Sequence, residues 1–373
     1  MKFTLQIQLL PDSAQRKLLL DTMRAFNTAA DYAAKIGFEA GVFSQPSIHY
    51  HCYYDMREKF GLSSQMAVRA IGKTVECFRR DKTKCPKFRP TGAMTYDQRL
   101  MSFKGLDRVS LLTLTGRQLI PFVMGDYQKA RFDRLKGQCD LVFRDGKFFL
   151  LCSIDLPEKP PVEIHDFVGV DLGVANIATT SDGQQFSGEQ VETVRQKHHR
   201  RRKSLGKRMS RTHKRRTRKN ARRAMKRTGQ KESRFKRHEN HCISREIVKL
   251  AEGTQRGIAL EDLKGIRLRT RFRKGQRAKM GGWAFAQLRT FVEYKAKLAG
   301  VPVVIVDPRN TSRTCAECGH CEKANRSSQA EFQCRSCGHT AHADLNAARN
   351  IRAVAASVNM LEVSKEHREP LVA

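Results

Sequence analysis

Four cysteines in the last fifth of this 373-residue chain form two Cys-x2-Cys pairs, Cys315/Cys318 and Cys334/Cys337, with fifteen residues between the pairs. That is the spacing of a four-thiolate zinc ribbon. Four soft thiolates in a tetrahedral array suit one structural Zn2+ and leave no open position for catalysis. Gly319 and Gly338 each follow a pair, where glycine allows the tight turn that aims backbone N–H groups at sulfur. His320 and Cys321 are spare ligands close by. The spacing leaves open whether the ribbon only staples its segment or also touches a polyanion.

Three acids stand where acids are costly. Asp171 lies inside the apolar run Val168-Gly169-Val170-Asp171-Leu172-Gly173, and Glu261 ends Ile258-Ala259-Leu260-Glu261. Asp344 opens a helical pattern whose stripe is Ala347, Ala348, Ile351, Ala355 and Val358, and it falls on that stripe itself. A buried acid needs a metal or a partner. Singly, each reads more simply as a cap or a buried ion pair; together, two on strands and one at a helix start, they predict a catalytic trio. Hard carboxylates hold the paired divalent ions, about 3.5–4 Å apart, that hydrolyse phosphodiesters. Mg2+ and Mn2+ suit such oxygen ligands equally. Asp262 is the alternative to Glu261 but points to the other face of its strand. Asp182 and Asp307 read as turn residues, and His342 stands close enough to support Asp344.

The charge names the kind of partner. Seventy-one Lys and Arg oppose 37 Asp and Glu, a net +34, and such an excess fits nucleic acid. An anionic membrane is the rival, yet no apolar run is long enough to span one. Twenty-two Lys or Arg fall between Arg195 and Arg237, with Glu232 the one acid among them. Arg200, Arg201, Arg202, Lys214, Arg215 and Arg216 are the densest of these and the expected phosphate contacts. Self-repulsion prevents the run from folding compactly alone. A solvated tail or localisation signal is the simpler reading, against which stands its place between core strands. Met1 to Leu10 alternates like a strand rather than a secretory signal, so the expected compartment is the cytoplasm. The remaining cysteines, Cys52, Cys77, Cys85, Cys139, Cys152 and Cys242, read as reduced, packed thiols.

The elements that must carry these groups follow from periodicity. Phe3, Leu5, Ile7 and Leu9 share one face of an opening strand. Pro11, Asp12 and Ser13 start a helix carrying Leu19, Met23, Phe26 and Ala30, and a second helical block after Ser64 aligns Met66, Ala70, Thr74, Cys77 and Phe78. From Met94 to Leu156 the period is two, with strands over 108–114, 118–122 and 139–144. The last turns through Asp145-Gly146 into 147–154. This predicts a barrel-like β domain interrupted by a helical one. Glu158 to Pro161 reads as a linker. Beyond it come strands over 167–172, 176–180, 184–186, 257–260 and 301–306, and a helix through Ile243, Ile247, Leu250 and Ala251.

The motifs Gly169-Val-Asp-Leu-Gly-Val174, Ala259-Leu-Glu-Asp-Leu263, Thr311-Ser-x-x-Cys-x-x-Cys-Gly319, Cys334-x-x-Cys-Gly338 and Ala343-Asp-Leu-Asn-Ala-Ala-Arg-Asn-Ile351 resemble the TnpB family, insertion-sequence proteins related to type V CRISPR effectors. The resemblance covers about 165–355; the amino-terminal half matches in layout. It implies an α+β multidomain protein with an RNase H-like (RuvC) mixed-sheet core and an inserted zinc ribbon. An N-terminal wedge-like β-barrel (1–10 and 91–160) would carry an inserted helical recognition domain (11–90). The nuclease core would span 165–308, including a basic helical insert over 190–250. The ribbon would follow over 309–340, the last core helix over 341–363 and a tail over 364–373. The implied activity is RNA-guided cleavage of double-stranded DNA beside a short flanking motif. A guide RNA from the transposon end pairs with the target while the protein grips backbone, one chain per RNA. Asp171, Glu261 and Asp344 would be the catalytic ligands of two Mg2+ or Mn2+ ions. Ser64 and Gln65 resemble the start of the helix that approaches the flanking motif.

A guide-dependent regulator that does not cut has no need of three buried acids. A three-acid transposase usually orders them Asp, Asp, Glu, whereas here the order is Asp, Glu, Asp.

Overall fold

A computed structural model describes residues 1–263 and 285–366, with side chains through 358. The expected core span includes 264–284, and most of the expected tail falls after 366; both lie outside the described residues. Two compact units divide at Pro157.

The first unit starts with strand β1 (Lys2–Leu9), then helices α1 (Ser13–Glu39), α2 (Gln45–Phe60) and α3 (Ser64–Arg80). Asp12 caps α1 in a reciprocal capping box with Gln15. Ile48, Cys52 and Met56 of α2 are buried, as are Leu19, Met23 and Phe26 of α1 and Met66 and Ile71 of α3. Periodicity places α2 only within a broader helical region, because its buried stripe is three residues wide among tyrosines and histidines. Cys77, expected on the stripe of α3, is half-buried.

Strands β2 (Met94–Tyr96), β3 (Met101–Lys104), β4 (Arg108–Thr113), β5 (Gly116–Val123), β6 (Leu135–Arg144) and β7 (Lys147–Asp155) follow, with a short helix α4 (Asp126–Lys129) before β6. They make one seven-stranded antiparallel sheet with β1, ordered β2-β6-β7-β1-β5-β4-β3. The Asp145-Gly146 turn closes the β6–β7 hairpin, with both residues at positive φ. The two edge strands are consecutive in the chain, and the Tyr96 hydroxyl donates to the Leu112 carbonyl of β4 at 2.9 Å.

The second unit centres on a five-stranded mixed sheet. Its strands are β8 (Phe167–Asp171), β9 (Asn176–Thr180), β10 (Gln185–Ser187), β11 (Gly257–Glu261) and β12 (Val303–Val306), ordered β10-β9-β8-β11-β12. The first three pair antiparallel; β8, β11 and β12 run parallel. Parallel pairing requires long crossovers, and the β10–β11 crossover is the basic run. It forms two helices, α5 (Glu189–Ser210) and α6 (Arg215–Gly253). Helix α7 (Phe285–Ala299) leads into β12.

Alternation along β8 builds a core on each face. Val168, Val170 and Leu172 pack with Ile243, Ile247 and Ala251 of α6 and Leu288 and Val292 of α7. Phe167 faces the other way, with Ala259, Val306, Ile351 and Ala355. The last two belong to α8 (Ala343–Glu366), which follows a ribbon bearing the short hairpin β13 (Glu331–Gln333) and β14 (Thr340–His342). Val358, assigned by periodicity to the buried stripe of this helix, is 37% exposed instead; Ala355 is the last residue of the stripe found in that core.

Candidate active site

Gly169 sets the distance between β8 and α8. A Cβ there would lie 2.1 Å from the Ala348 carbonyl oxygen and 2.6 Å from the Arg352 nitrogen, so only glycine lets the helix sit on the strand. A bidentate pair from Arg352 to Asp166, 2.8 and 2.6 Å, pins the same contact from the other end. Asp171 ends β8 on the α8 face, and Asp344 occupies the first turn of α8. Glu261 ends β11 one step beyond Leu260, the register partner of Val170.

The three acids therefore converge from two adjacent strand ends and a helix start. Glu261 and Asp344 are buried, and Asp171 is half-buried. Burial, then the nearby charges of Glu261 and Asp344, push the Asp171 carboxyl up to about 8. Burial also raises Glu261, against a 2.5 Å hydrogen bond from the Thr311 hydroxyl. Asn176 donates to Asp344 at 3.0 Å. Arg326 lies 3.6 Å from Asp344 and is the cation that acts on Asp171. Mutual repulsion among enclosed carboxylates is what a divalent cation relieves, so the donor set fits hard metal ions. The acids do not all lie within 4.8 Å of one another; among the described residues that holds for the four cysteines.

Those cysteines fit zinc closely. Cys315–Cys337 and Cys318–Cys334 sulfurs are 3.7 and 3.6 Å apart, near the edge of about 3.8 Å for a tetrahedron with Zn–S of about 2.3 Å. The two pairs build matching turns. Cys315 N–H donates to the His320 carbonyl and Gly319 N–H to Cys315; Cys334 N–H donates to His339 and Gly338 N–H to Cys334. Both glycines need positive φ, 74° and 73°. Backbone N–H groups of Cys337 and Ser336 pull the Cys334 thiol down to about 6, toward the thiolate that zinc requires. The spare residues His320 and Cys321 stand outside this set, His320 against Glu322 at 3.2 Å.

The ribbon is tied to α8. Asn346 donates to the Thr314 carbonyl and accepts from Ala316 N–H; Asn350 donates to the Thr311 and Thr314 carbonyls. Fully buried Asn325 bridges the halves of the ribbon, donating to Arg313 and His320 carbonyls and accepting from Arg335 N–H. Arg326 is the next residue. Asn346 and Asn350 fall within the Ala343–Ile351 motif, and their four-residue spacing is the one sequence signal of this shared role. Arg326 and Thr311 carried none.

The basic helices are held together by Glu232. Arg202 of α5 and Lys236 of α6 both bind its carboxylate, the latter at 2.7 Å. Arg202 is thus partly committed inside the hairpin, whereas Arg200, Arg201, Lys214, Arg215 and Arg216 are exposed. Arg200, Lys203, Lys207, Arg208 and Arg211 line a groove between the helices. In the first unit Ser64 is exposed, but the Gln65 amide is bound to Asp97, which also takes Arg69 at 2.6 Å. Asp182 and Asp262, set aside as catalytic groups, pair with Arg256 and Arg289. No helix among the described residues is long and apolar enough to cross a membrane.

Residues 151–265 match the family model described as "Probable transposase", and 285–351 match the "Cas12f1-like, TNB domain" model. A CRISPR-associated endodeoxyribonuclease Cas12f1 of Sulfoacidibacillus thermotolerans is 34% identical over 219 residues, 56% of this chain and 50% of that one. A putative RNA-guided DNA endonuclease InsQ of Escherichia coli K12 is 33% identical over 236 residues, 57% and 55% of the two chains. A TnpB-like protein of Methanocaldococcus jannaschii is 27% identical over 68% of this chain and 92% of its own. The chain spans about half the length of the Cas12f1 and InsQ relatives. In fold it is similar to Cas12f1 in an sgRNA–target DNA complex (TM-score 0.61, 17% identity, 89% of this chain and 82% of that one). It is likewise similar to the mini-RNA-guided endonuclease Cas_phi3 (TM-score 0.60, 11% identity, 95% and 92%). The TnpB resemblance and the α+β multidomain class are borne out.

Proposed function

From a chain related to the TnpB-like and Cas12f proteins, we propose an RNA-guided DNA endonuclease of transposon origin that cuts with one RuvC-type site in an RNase H-like second unit. The observation that carries this is the convergence of Asp171, Glu261 and Asp344, from the ends of two paired strands and the first turn of α8, on one buried site. The first unit is the wedge-like barrel with its helical recognition insert, and the exposed cations of α5 and α6 grip nucleic-acid backbone.

Asp171, Glu261 and Asp344 would hold two Mg2+ or Mn2+ ions, which when bound supply an activated water and charge stabilisation at the leaving oxygen. Thr311 donates to one oxygen of Glu261 and Asn176 to one oxygen of Asp344, which holds these two carboxylates in place. Arg326 can exchange its contact with Asp344 for a phosphate oxygen, since its planar fork suits both anions. Cys315, Cys318, Cys334 and Cys337 would hold one Zn2+, which would rigidify the ribbon that carries Arg326.

The test is to purify the protein from cells carrying the flanking element, sequence the retained RNA, and offer the complex a matching DNA with Mg2+. A defined RNA with a constant scaffold and a variable end, and cleavage abolished in Asp171→Ala with RNA retained, are expected. Random RNA fragments would sink the guiding; wild-type cleavage by Asp171→Ala would sink the assigned site.

A further inference from the structure

Thr179 is 1% exposed, and its hydroxyl makes no hydrogen bond among the described residues. Buried hydroxyls are normally paired, because folding removes their water and must return a partner. The hydroxyls beside it obey that rule: Thr180 donates to the Gln184 carbonyl, and Ser181 accepts from Gly169 N–H at 3.2 Å.

Its place in the sheet says where the missing partner lies. Thr179 is the antiparallel register partner of Asp171, and directly opposed side chains share a face. Parallel pairing of Val170 with Leu260 puts Glu261 level with Asp171 on the other side. Three adjacent strands thus carry Glu261, Asp171 and Thr179 in one row, on the face that α8 covers. Asn176, on the same strand as Thr179, donates to Asp344 at the start of that helix. The one unpartnered hydroxyl of this row stands next to the carboxylates.

We propose that Thr179 is a positioning residue of the divalent-cation site, its hydroxyl holding a water of the bound cation's hydration shell. A hydroxyl both donates and accepts, and Mg2+ retains several waters when carboxylates bind it. Thr179 would then fix the direction of one such water relative to Asp171. This rests on the reading of Asp171, Glu261 and Asp344 as cation ligands.

The test is Mn2+ titration of the zinc-loaded full chain, following free Mn2+ by electron paramagnetic resonance, together with melting curves without Mn2+. Thr179→Val should weaken Mn2+ binding by about ten- to a hundredfold, the range for removing a group that orients a metal's ligands, and Thr179→Ser should restore it to within about threefold. Without Mn2+, Thr179→Val should melt no lower than wild type, because it removes an unpaired hydroxyl and keeps the shape. Unchanged Mn2+ affinity in Thr179→Val, with binding abolished in Asp171→Asn, overturns the role of Thr179 and leaves the carboxylate site standing. Wild-type binding by Asp171→Asn removes that site itself. A Val variant that melts well below wild type reveals a hydroxyl already bonded within the protein, which also overturns the proposal.

Discussion

Arg326, on the loop between the two cysteine pairs, stands 3.6 Å from Asp344 on the first turn of α8. The cysteine ribbon therefore reaches the acidic site through this cation as well as through the Thr311 hydroxyl on Glu261. If that cation engages the scissile phosphate, Arg326→Ala should lower the cleavage rate by about a hundred- to a thousandfold, as for other preorganised donors. DNA binding should change little. Arg326→Lys should recover only part of the rate, since lysine lacks the planar fork. Single-turnover cleavage on pre-bound DNA separates the effects, and an unchanged rate in the alanine variant rules the contact out.

Gly169 permits the approach of α8 to β8. In Gly169→Ala the new methyl meets backbone at 2.1 Å, which cannot swing aside like a flexible side chain. Overpacking of this kind costs about 1–3 kcal/mol. The helix must shift away from Asp171 and carry Asp344 with it, and a displacement near 1 Å costs about a hundredfold in rate. Thermal unfolding and cleavage should both suffer; if neither does, the helix has room that the structure denies it.

Cys315→Ala should drop zinc content from about one ion per chain and lower the melting temperature, because binding energy of a structural zinc is folding energy. Cleavage should fall as well, through the freed Arg326. Atomic absorption supplies the decisive number: unchanged stoichiometry would move the ligand assignment to Cys321.

Asp182 offers a pH test. Hydrogen bonds from Arg256 hold its carboxyl below the usual range. A depressed folded value contributes stability above the unfolded pKa of about 3.9 and loses it as pH falls through the folded value. Asp182→Asn should therefore melt lower than wild type by a constant margin from neutral pH down to about 5. Below about 4 the two curves should converge. A margin as large at pH 3 as at neutral pH would assign the effect to packing rather than to charge.

The basic hairpin separates exposed cations from committed ones. Replacing Arg200 and Arg201 by alanine should reduce the salt dependence of RNA binding. The slope of log K against log salt should become shallower by about 0.7 to 0.9 for each phosphate that is no longer neutralised. Arg202→Ala, whose partner is Glu232, should change that slope less and destabilise the hairpin more. Equal slope changes would show that Arg202 leaves Glu232 when RNA binds.

The sequence alone determined those features that obey short-range rules. Thiolate spacing identified the ribbon, alternation found β1 and β6–β7, and the acids within apolar runs picked out Asp171, Glu261 and Asp344 as costly residues needing a partner. What it left undecided depends on how distant segments meet. The register that sets Thr179 opposite Asp171, the two asparagines that lock the ribbon onto α8, and the Arg326 contact with Asp344 all arise when stretches of chain far apart are folded together. Helix α2 merges into a broader helical region because three buried residues, one at every fourth position, make a faint stripe. Val358 falls on the apolar stripe by periodicity yet is exposed, because periodicity counts helical faces without knowing how far along the helix its packing partners extend. Spacing reports which side chains share a face; only packing decides what that face meets.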